Sequence, residues 1–406
     1  MKPCYGLILG SLVMGQAAAV EWSASGAVNS RTEFISNPNL AVPPEPTRNR
    51  TSLGFDLTAG AREDRWEASA STGYSRWISG EENLNTTDLN VIGQAKRRFE
   101  RSSANLAASF RRGSTHANEI TTTGIAVARV QSDTWRLAPS VDHALTERVA
   151  VNAGASFAST RYDQTSAAGG LVNNSSWTAS FGSSYALAPV TSVGATLSYG
   201  ETDTEPFTSN SRTTSVQAYV NHTLSERWSV YAAYGPSWTH TEVAGAVPIC
   251  PVPQQSCDSG QVPVTIFPTT VARDVRGSLY NLSSSYQLTE RSLVSAVASR
   301  SSSPSGAGFV TDTEALSATF AHRFNERLAA NLSASHLQAE SLGGVVANSS
   351  TRTRYFIASL TWRAAEEWTA EAGASRLEVS LPGSLEPSSS TLYLSLRYAP
   401  ARWVLR

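Results

Sequence analysis

A four-residue sequence, hydrophobic then small polar then Glu-Arg, occurs four times. The copies are Leu145-Thr146-Glu147-Arg148, Leu224-Ser225-Glu226-Arg227, Leu288-Thr289-Glu290-Arg291 and Phe324-Asn325-Glu326-Arg327. Each is flanked by stretches in which apolar and polar residues alternate. A tight turn reused between segments of period two makes the chain an antiparallel array built by repetition. After Arg148, for example, Val149, Val151, Ala153, Ala155 and Phe157 share one face, and Ala150, Asn152, Gly154, Ser156 and Ala158 share the other. Leu53, Phe55, Leu57 and Ala59 alternate in the same way with Ser52, Gly54, Asp56 and Thr58. No helical period competes with this pattern.

Counting such segments gives about eighteen strands in nine hairpins, with short connections alternating with long ones. A soluble domain of 406 residues needs long Leu- and Ile-rich runs for its core, and they are missing here. Beyond the first 20 residues no apolar run approaches the ~18 residues a membrane-spanning helix needs. A closed β-barrel is the other way to satisfy a backbone in lipid. The expected fold is therefore all-β: a transmembrane antiparallel up-and-down barrel of about 18 strands, with short periplasmic turns and long extracellular loops.

The first residues read as a secretory signal over 1–19. Lys2 supplies the charge, Leu7–Met14 the apolar run, and Ala17-Ala18-Ala19 the cleavage site. Residues 20–406 then form a single barrel domain. Cleavage removes Cys4 and leaves Cys250 and Cys257 in the longest loop, 242–273. In an oxidising compartment this pair is expected to form a disulfide. That loop is expected either to fold inward as a constriction or to cover the mouth as a lid. The prolines of Asn37–Pro46 predict a stiff, extended loop at the same end.

Aromatic residues fall into two groups. Trp66, Phe99, Tyr185, Trp228, Tyr286, Phe324, Trp362, Trp368 and Tyr398 lie beside short turns, and Tyr74, Trp135, Phe157, Trp177, Tyr199, Trp238, Tyr280 and Phe356 lie toward the long loops. Two interfacial girdles need this distribution. His143, His222 and His322 each lie two residues before a Glu-Arg turn motif, as an amphipathic ring rather than a metal site. The last strand, with Leu392, Leu394, Leu396 and Tyr398 on one face, is followed by eight residues. That tail either dangles or lets Trp403 continue the strand.

The same alternation assigns charges to the inner face. Candidate pore-lining residues are Asp56, Glu67, Arg98, Arg111, Arg136, Arg323, Tyr355, Arg363, Glu371 and Arg397. Arg31, Glu33, Lys96, Asp142 and Arg227 are read as inward too, with most of the basic ones toward the short-turn mouth. Such charges solvate a wet wall, and their positive balance favours anionic solutes or polymers. Inward Trp77, Tyr219, Tyr231 and Tyr393 pack the wall or stack on sugar rings.

No zinc-spaced cysteine pairs, H-E-x-x-H, phosphate loop or nucleophile elbow occurs, so no enzyme activity, metal or cofactor is expected. The net charge of -1 gives no reason to expect nucleic acid. The hairpin array, its hydrophobic-x-Glu-Arg turns and the Leu/Tyr final strand resemble the beta-barrel porin 2 group of outer-membrane proteins. That resemblance implies a Gram-negative outer-membrane porin for export of, or association with, a secreted polysaccharide. It also implies periplasmic export proteins as partners, beside outer-membrane lipid and the barrel-assembly machinery. A general or anion-preferring diffusion porin is the second reading, and a non-conducting surface or adhesion barrel the third. No hairpin lacks girdle aromatics clearly enough to mark a subunit contact, so the expected state is a monomer.

Overall fold

The computed structural model describes residues 20–405, except 81–83, 116–129, 164–170, 206–208, 250–264, 305–309, 343–349 and 381–385. The segment read as a signal peptide and both Cys250 and Cys257 lie outside the described residues.

Strands follow one another along the whole chain. They are β1 (Glu21–Ile35), β2 (Arg48–Arg62), β3 (Trp66–Ser79), β4 (Thr86–Arg98), β5 (Ser102–Ser114), β6 (Gln131–Ala144), β7 (Val149–Tyr162), β8 (Asn173–Ala188) and β9 (Thr191–Glu205). The second half holds β10 (Ser209–Ser225), β11 (Trp228–Ile249), β12 (Thr265–Thr289), β13 (Ser292–Pro304), β14 (Val310–Arg323), β15 (Leu328–Leu342), β16 (Ser350–Arg363), β17 (Trp368–Ser380), β18 (Ser388–Tyr398) and the short β19 (Trp403–Leu405). Each of the first eighteen pairs antiparallel with its sequence neighbours, and β18 pairs back onto β1 from Val28↔Tyr398 to Ile35↔Thr391. The chain is thus a closed 18-stranded up-and-down β-barrel, as the alternation predicts.

The repeated motif lies at the turns between β6 and β7, β10 and β11, β12 and β13, and β14 and β15. Its small polar residue organises every one of them. Thr146 Oγ1 accepts from the backbone N–H of Arg148 (3.2 Å) and Val149 (3.0 Å), and Asn325 Oδ1 accepts from Arg327 and Leu328 (2.8 Å each). Ser225 and Thr289 accept the equivalent Arg227 and Arg291 N–H at 3.3 and 3.2 Å. A short side chain thereby supplies the acceptor that the sharply turning backbone lacks. The three histidines are similarly tied, each Nδ1 lying 2.8 Å from a hydroxyl (Ser102, Thr191, Ser292) that opens the neighbouring strand.

The tail continues the wall. β19 extends the β18 edge along β1, with Trp403↔Ala24 and Leu405↔Trp22. Four residues, 399–402, stand there opposite three, 25–27. This one-residue bulge closes the barrel near the short-turn end.

The 242–273 segment is shorter as a loop than the sequence suggests. β11 runs on to Ile249 and β12 begins at Thr265, paired to the end as Ile249↔Thr265. Above Tyr280↔Arg300 the β12–β13 ladder stops, although β13 stays paired with β14 as far as Pro304↔Val310. The upper β11–β12 ribbon therefore stands free of its β13 neighbour. The residues that would show a lid or constriction, 250–264, lie outside the described set.

The loop after β1 is folded back rather than extended. Asn37 Oδ1 accepts from Ala41 N (2.9 Å) and Glu45 N (3.2 Å), and its Nδ2 donates to Ser388 O (3.2 Å). Asn37 and Leu40 take φ of 47° and 53°, a region asparagine tolerates unusually well. Leu40 then packs on Val379, which is fully buried.

On the outer face, large apolar side chains are exposed all around the barrel, among them Leu57, Leu106, Leu137, Phe181, Leu197, Leu282, Leu332 and Leu394. Aromatic pairs bound this band at both ends: Phe55–Tyr74 and Trp177–Tyr199 toward the long loops, Trp228–Tyr286 and Trp368–Tyr398 beside the short turns. Trp228 and Trp238 sit ten positions apart on β11. At ~3.3 Å per residue and ~45° tilt they are roughly 23 Å apart along the barrel axis, the height of a barrel's apolar band.

Candidate functional site: the lumen wall

Directly opposed residues of an antiparallel ladder share a face. Val28, Phe55, Tyr74 and Leu89 form one such outward row across β1–β4. Extending the register round the barrel turns the alternate residues inward. Asp56, Glu67, Arg98, Arg111, Arg136, Arg323, Tyr355, Arg363, Glu371 and Arg397 all lie on that inner face. Arg227 does not, because it occupies the two-residue turn between β10 and β11. Arg98, Arg323, Arg363 and Arg397 lie at the short-turn end, Arg136 midway and Arg111 toward the long loops. Glu147, Arg148, Glu226, Glu290, Arg291, Glu326 and Arg327 belong to the turns. Two adjacent turns are tied together, since Arg291 donates to Phe324 O (3.1 Å) and Arg323 to Glu290 O (3.4 Å).

Charge is divided around the circumference. Inward charges are carried by β16–β18 and β1–β6. On β7–β15 the described inward positions are Ser, Thr, Asn, Gln, Tyr, Gly and aliphatic residues, and only Arg273 and Arg323, at opposite ends, are charged. One half of the wall is therefore ionic and the other half is hydroxyl-bearing and neutral.

Within the ionic half the inward carboxylates other than Glu21 are engaged. Glu67 meets Arg98 at 3.4 Å, and Asp56 meets Arg397 at 3.7 Å and Asn29 at 3.2 Å. Tyr393 donates to Glu371 at 2.7 Å, Trp77 to Asp88 at 2.9 Å, and Ser103 and Asn105 to Asp142 at 3.2 Å. Lys96, Arg111, Arg136 and Arg363 have no carboxylate partner among the described residues. The uncompensated charge of the wall is positive.

The tightest group lies near the long loops. Glu33, with 6% of its side chain exposed, holds Arg31 and Arg50 at 2.7 Å each. Arg31 lies over the Tyr393 ring at 3.8 Å and Arg50 over Trp77 at 4.2 Å, so both guanidiniums are fixed by charge and by a π-face. Arg50 escaped the sequence reading, although it continues the inward series Ser52, Gly54, Asp56.

Many small inward residues of the long-loop third are buried, whereas Arg111 and Ser301 at the same level are exposed. Ser52, Ser132, Thr204, Thr239, Thr313, Thr353, Val379 and Ser389 are all buried there. Toward the short turns the wall opens, and a concavity of about 760 Å³ spans β1 to β8. Glu21, Arg62, Glu67, Lys96, Asn105, Arg136, Ser140, Ser156, Thr178, Ser180 and Arg402 line it. Sequence reading missed Arg62 and Arg402; Arg402 donates to Ser23 across the β1–β19 seam.

No family model matches the chain, and no curated protein matches it. Among solved structures, OccAB4 of Acinetobacter baumannii superposes with a TM-score of 0.49 at 9% identity, over 94% of this chain and 98% of that one. OpdQ of Pseudomonas aeruginosa gives 0.47 at 8% identity, over 93% and 97%. The ferric-catecholate import receptor Fiu of E. coli K12 gives 0.45 at 9% identity, over 92% and 81%. Likeness at this level is distant, and the functional reading rests on the wall of this barrel alone.

Proposed function

We propose that this protein is a Gram-negative outer-membrane pore through which small solutes diffuse, with a preference for anions. The carrying observation is the two-sided wall. Its outside is an apolar band between aromatic girdles, and its inside is polar with basic groups left uncompensated. An exposed apolar band of that extent needs a partner, and a bilayer supplies one of matching height. Eighteen strands enclose more space than wall side chains fill. In this reading the protein is exported with its leader removed, inserted by the barrel-assembly machinery, and surrounded by outer-membrane lipid as a monomer. Polysaccharide export, implied by the resemblance, requires a bore clear enough for an extended polymer. The unpaired basic groups of the wall act on small anions without that requirement.

Purified protein in a planar bilayer tests this directly. It is expected to carry ionic current, with a reversal potential displaced toward that of chloride in a potassium chloride gradient. A silent protein, or one selective for potassium, would sink the proposal.

A further inference from the structure

The concavity on β1–β8 lies where the two halves of the wall meet. Its ionic side ends at β6 with Arg136, and its neutral side begins at β7. Building on the pore reading, we propose that it is a binding station for small anionic polyhydroxylated solutes, of the sugar-acid class.

Three features favour that class. Lys96 and Arg136 face the concavity with no carboxylate in ion-pair contact among the described residues; of the two acids in the lining, Glu67 already meets Arg98 at 3.4 Å and Glu21 stands opposite Arg62. Such cations attract an anion that enters the lumen. Beside them, on β6 to β8, stand Ser140, Ser156, Thr178 and Ser180, small hydroxyl side chains able to donate to and accept from a polyol. The ladder is interrupted at the same place. β6–β7 pairing skips from Leu137↔Phe157 to Ser140↔Gly154, because Pro139 brings no N–H.

Size and position agree with this. About 760 Å³ falls within the range of small-molecule pockets and suits one or two sugar rings. The station lies toward the short turns, away from the long-loop ends of the strands. A simple anion would use only the cationic side and a neutral sugar only the hydroxyl side. A sugar acid uses both together, which gives selectivity beyond that of charge.

Block of single-channel current provides the test, with glucuronate, acetate and glucose added in turn to the protein in a planar bilayer. Glucuronate is expected to block at concentrations at least tenfold below acetate, and glucose to leave the current unaffected. Lys96→Gln with Arg136→Gln is expected to raise the half-blocking concentration tenfold or more. Ser140→Ala with Thr178→Val is expected to weaken glucuronate block while leaving acetate block as it was. Arg363→Gln, on the far side of the ionic half, is expected to lower anion selectivity while keeping the half-blocking concentration within twofold. If the channel conducts but glucuronate and acetate block alike, the station is overturned and the pore stands. If Arg363→Gln weakens block as much as the Lys96/Arg136 pair, the effect belongs to the whole lumen and the station is again overturned. Absence of any current overturns the pore itself.

Discussion

Tyr398 and Trp403 face the same side of the wall although five positions separate them. In an unbroken strand an odd separation would put them on opposite faces. The extra residue among 399–402 reverses the parity, and Tyr398 pairs with outward Val28 while Trp403 pairs with outward Ala24. Trp403 is consequently 71% exposed, on the apolar side beside the short turns.

Deleting Ala401 should therefore undo the bulge and leave Trp403 opposite Ala24 and facing outward, since four positions would then separate it from Tyr398. The eight pairs from Val28 to Ile35 keep the barrel closed. The expected result is a folded protein whose Trp403 fluorescence, isolated by difference from Trp403→Phe, is quenched by brominated lipid chains as in the parent protein. Loss of that quenching would contradict the role given to the bulge.

The turns give a graded prediction. Asn325 Oδ1 serves two backbone N–H groups at 2.8 Å, whereas Ser225 Oγ serves one at 3.3 Å. Each such bond contributes about 1 kcal/mol, less when long. Asn325→Ala is expected to cost about 1–2 kcal/mol and Ser225→Ala about 0.5 kcal/mol. Urea unfolding followed by tryptophan fluorescence checks the order; equal effects would mean that the Glu-Arg pair, rather than the small polar residue, holds the turn.

Most of the fold could be read in the chain because its signals are local. Period-two alternation located the strands, and the repeated motif located their turns. In a meander, chain order is also circumferential order, so the split of charge between β1–β6 and β7–β15 was within reach once the strands were ordered. The upper β11–β12 ribbon was not, because Gly245, Pro248 and Pro268 read as loop. Prolines are tolerated there because neither strand needs a further neighbour: β10 pairing ends at Val243, and β13 pairing begins only at Tyr280. Which acid meets which base was also hidden. Glu33 and Arg50, 17 positions apart, meet because the β1–β2 register sets them directly opposite, and the long connection between those strands leaves that register unread in the sequence.

Glycines separate cleanly by surroundings. A Cβ on Gly235 would collide with the backbone carbonyl of Val216, at the point where Pro236 already interrupts the β10–β11 ladder. A Cβ on Gly93 would meet nothing within 4 Å. Gly235→Ala is expected to abolish assembly into the compact form seen as fast migration on unheated gels. Gly93→Ala is expected to assemble normally and gain up to about 1 kcal/mol, since glycine weakens a strand. Normal assembly of Gly235→Ala would show that the wall yields where the geometry leaves it no room.

Glu33 links stability to selectivity. Its carboxylate, almost wholly buried, bridges Arg31 and Arg50 at 2.7 Å each. Removing the charge leaves two guanidiniums close together in a partly enclosed site, and breaking a buried pair of this kind costs about 3–5 kcal/mol. Arg31 and Arg50 also rest on Tyr393 and Trp77, so they are expected to keep their places while losing their counter-charge. Glu33→Gln should then unfold at lower urea and, while folded, show a stronger chloride preference than the parent. The double variant Glu33→Gln with Arg31→Gln should recover part of the stability and return selectivity toward the parental value. Lower stability with unchanged selectivity would mean that Arg31 and Arg50 do not face the path of the ions, and the inner-wall assignment at this end would have to be abandoned.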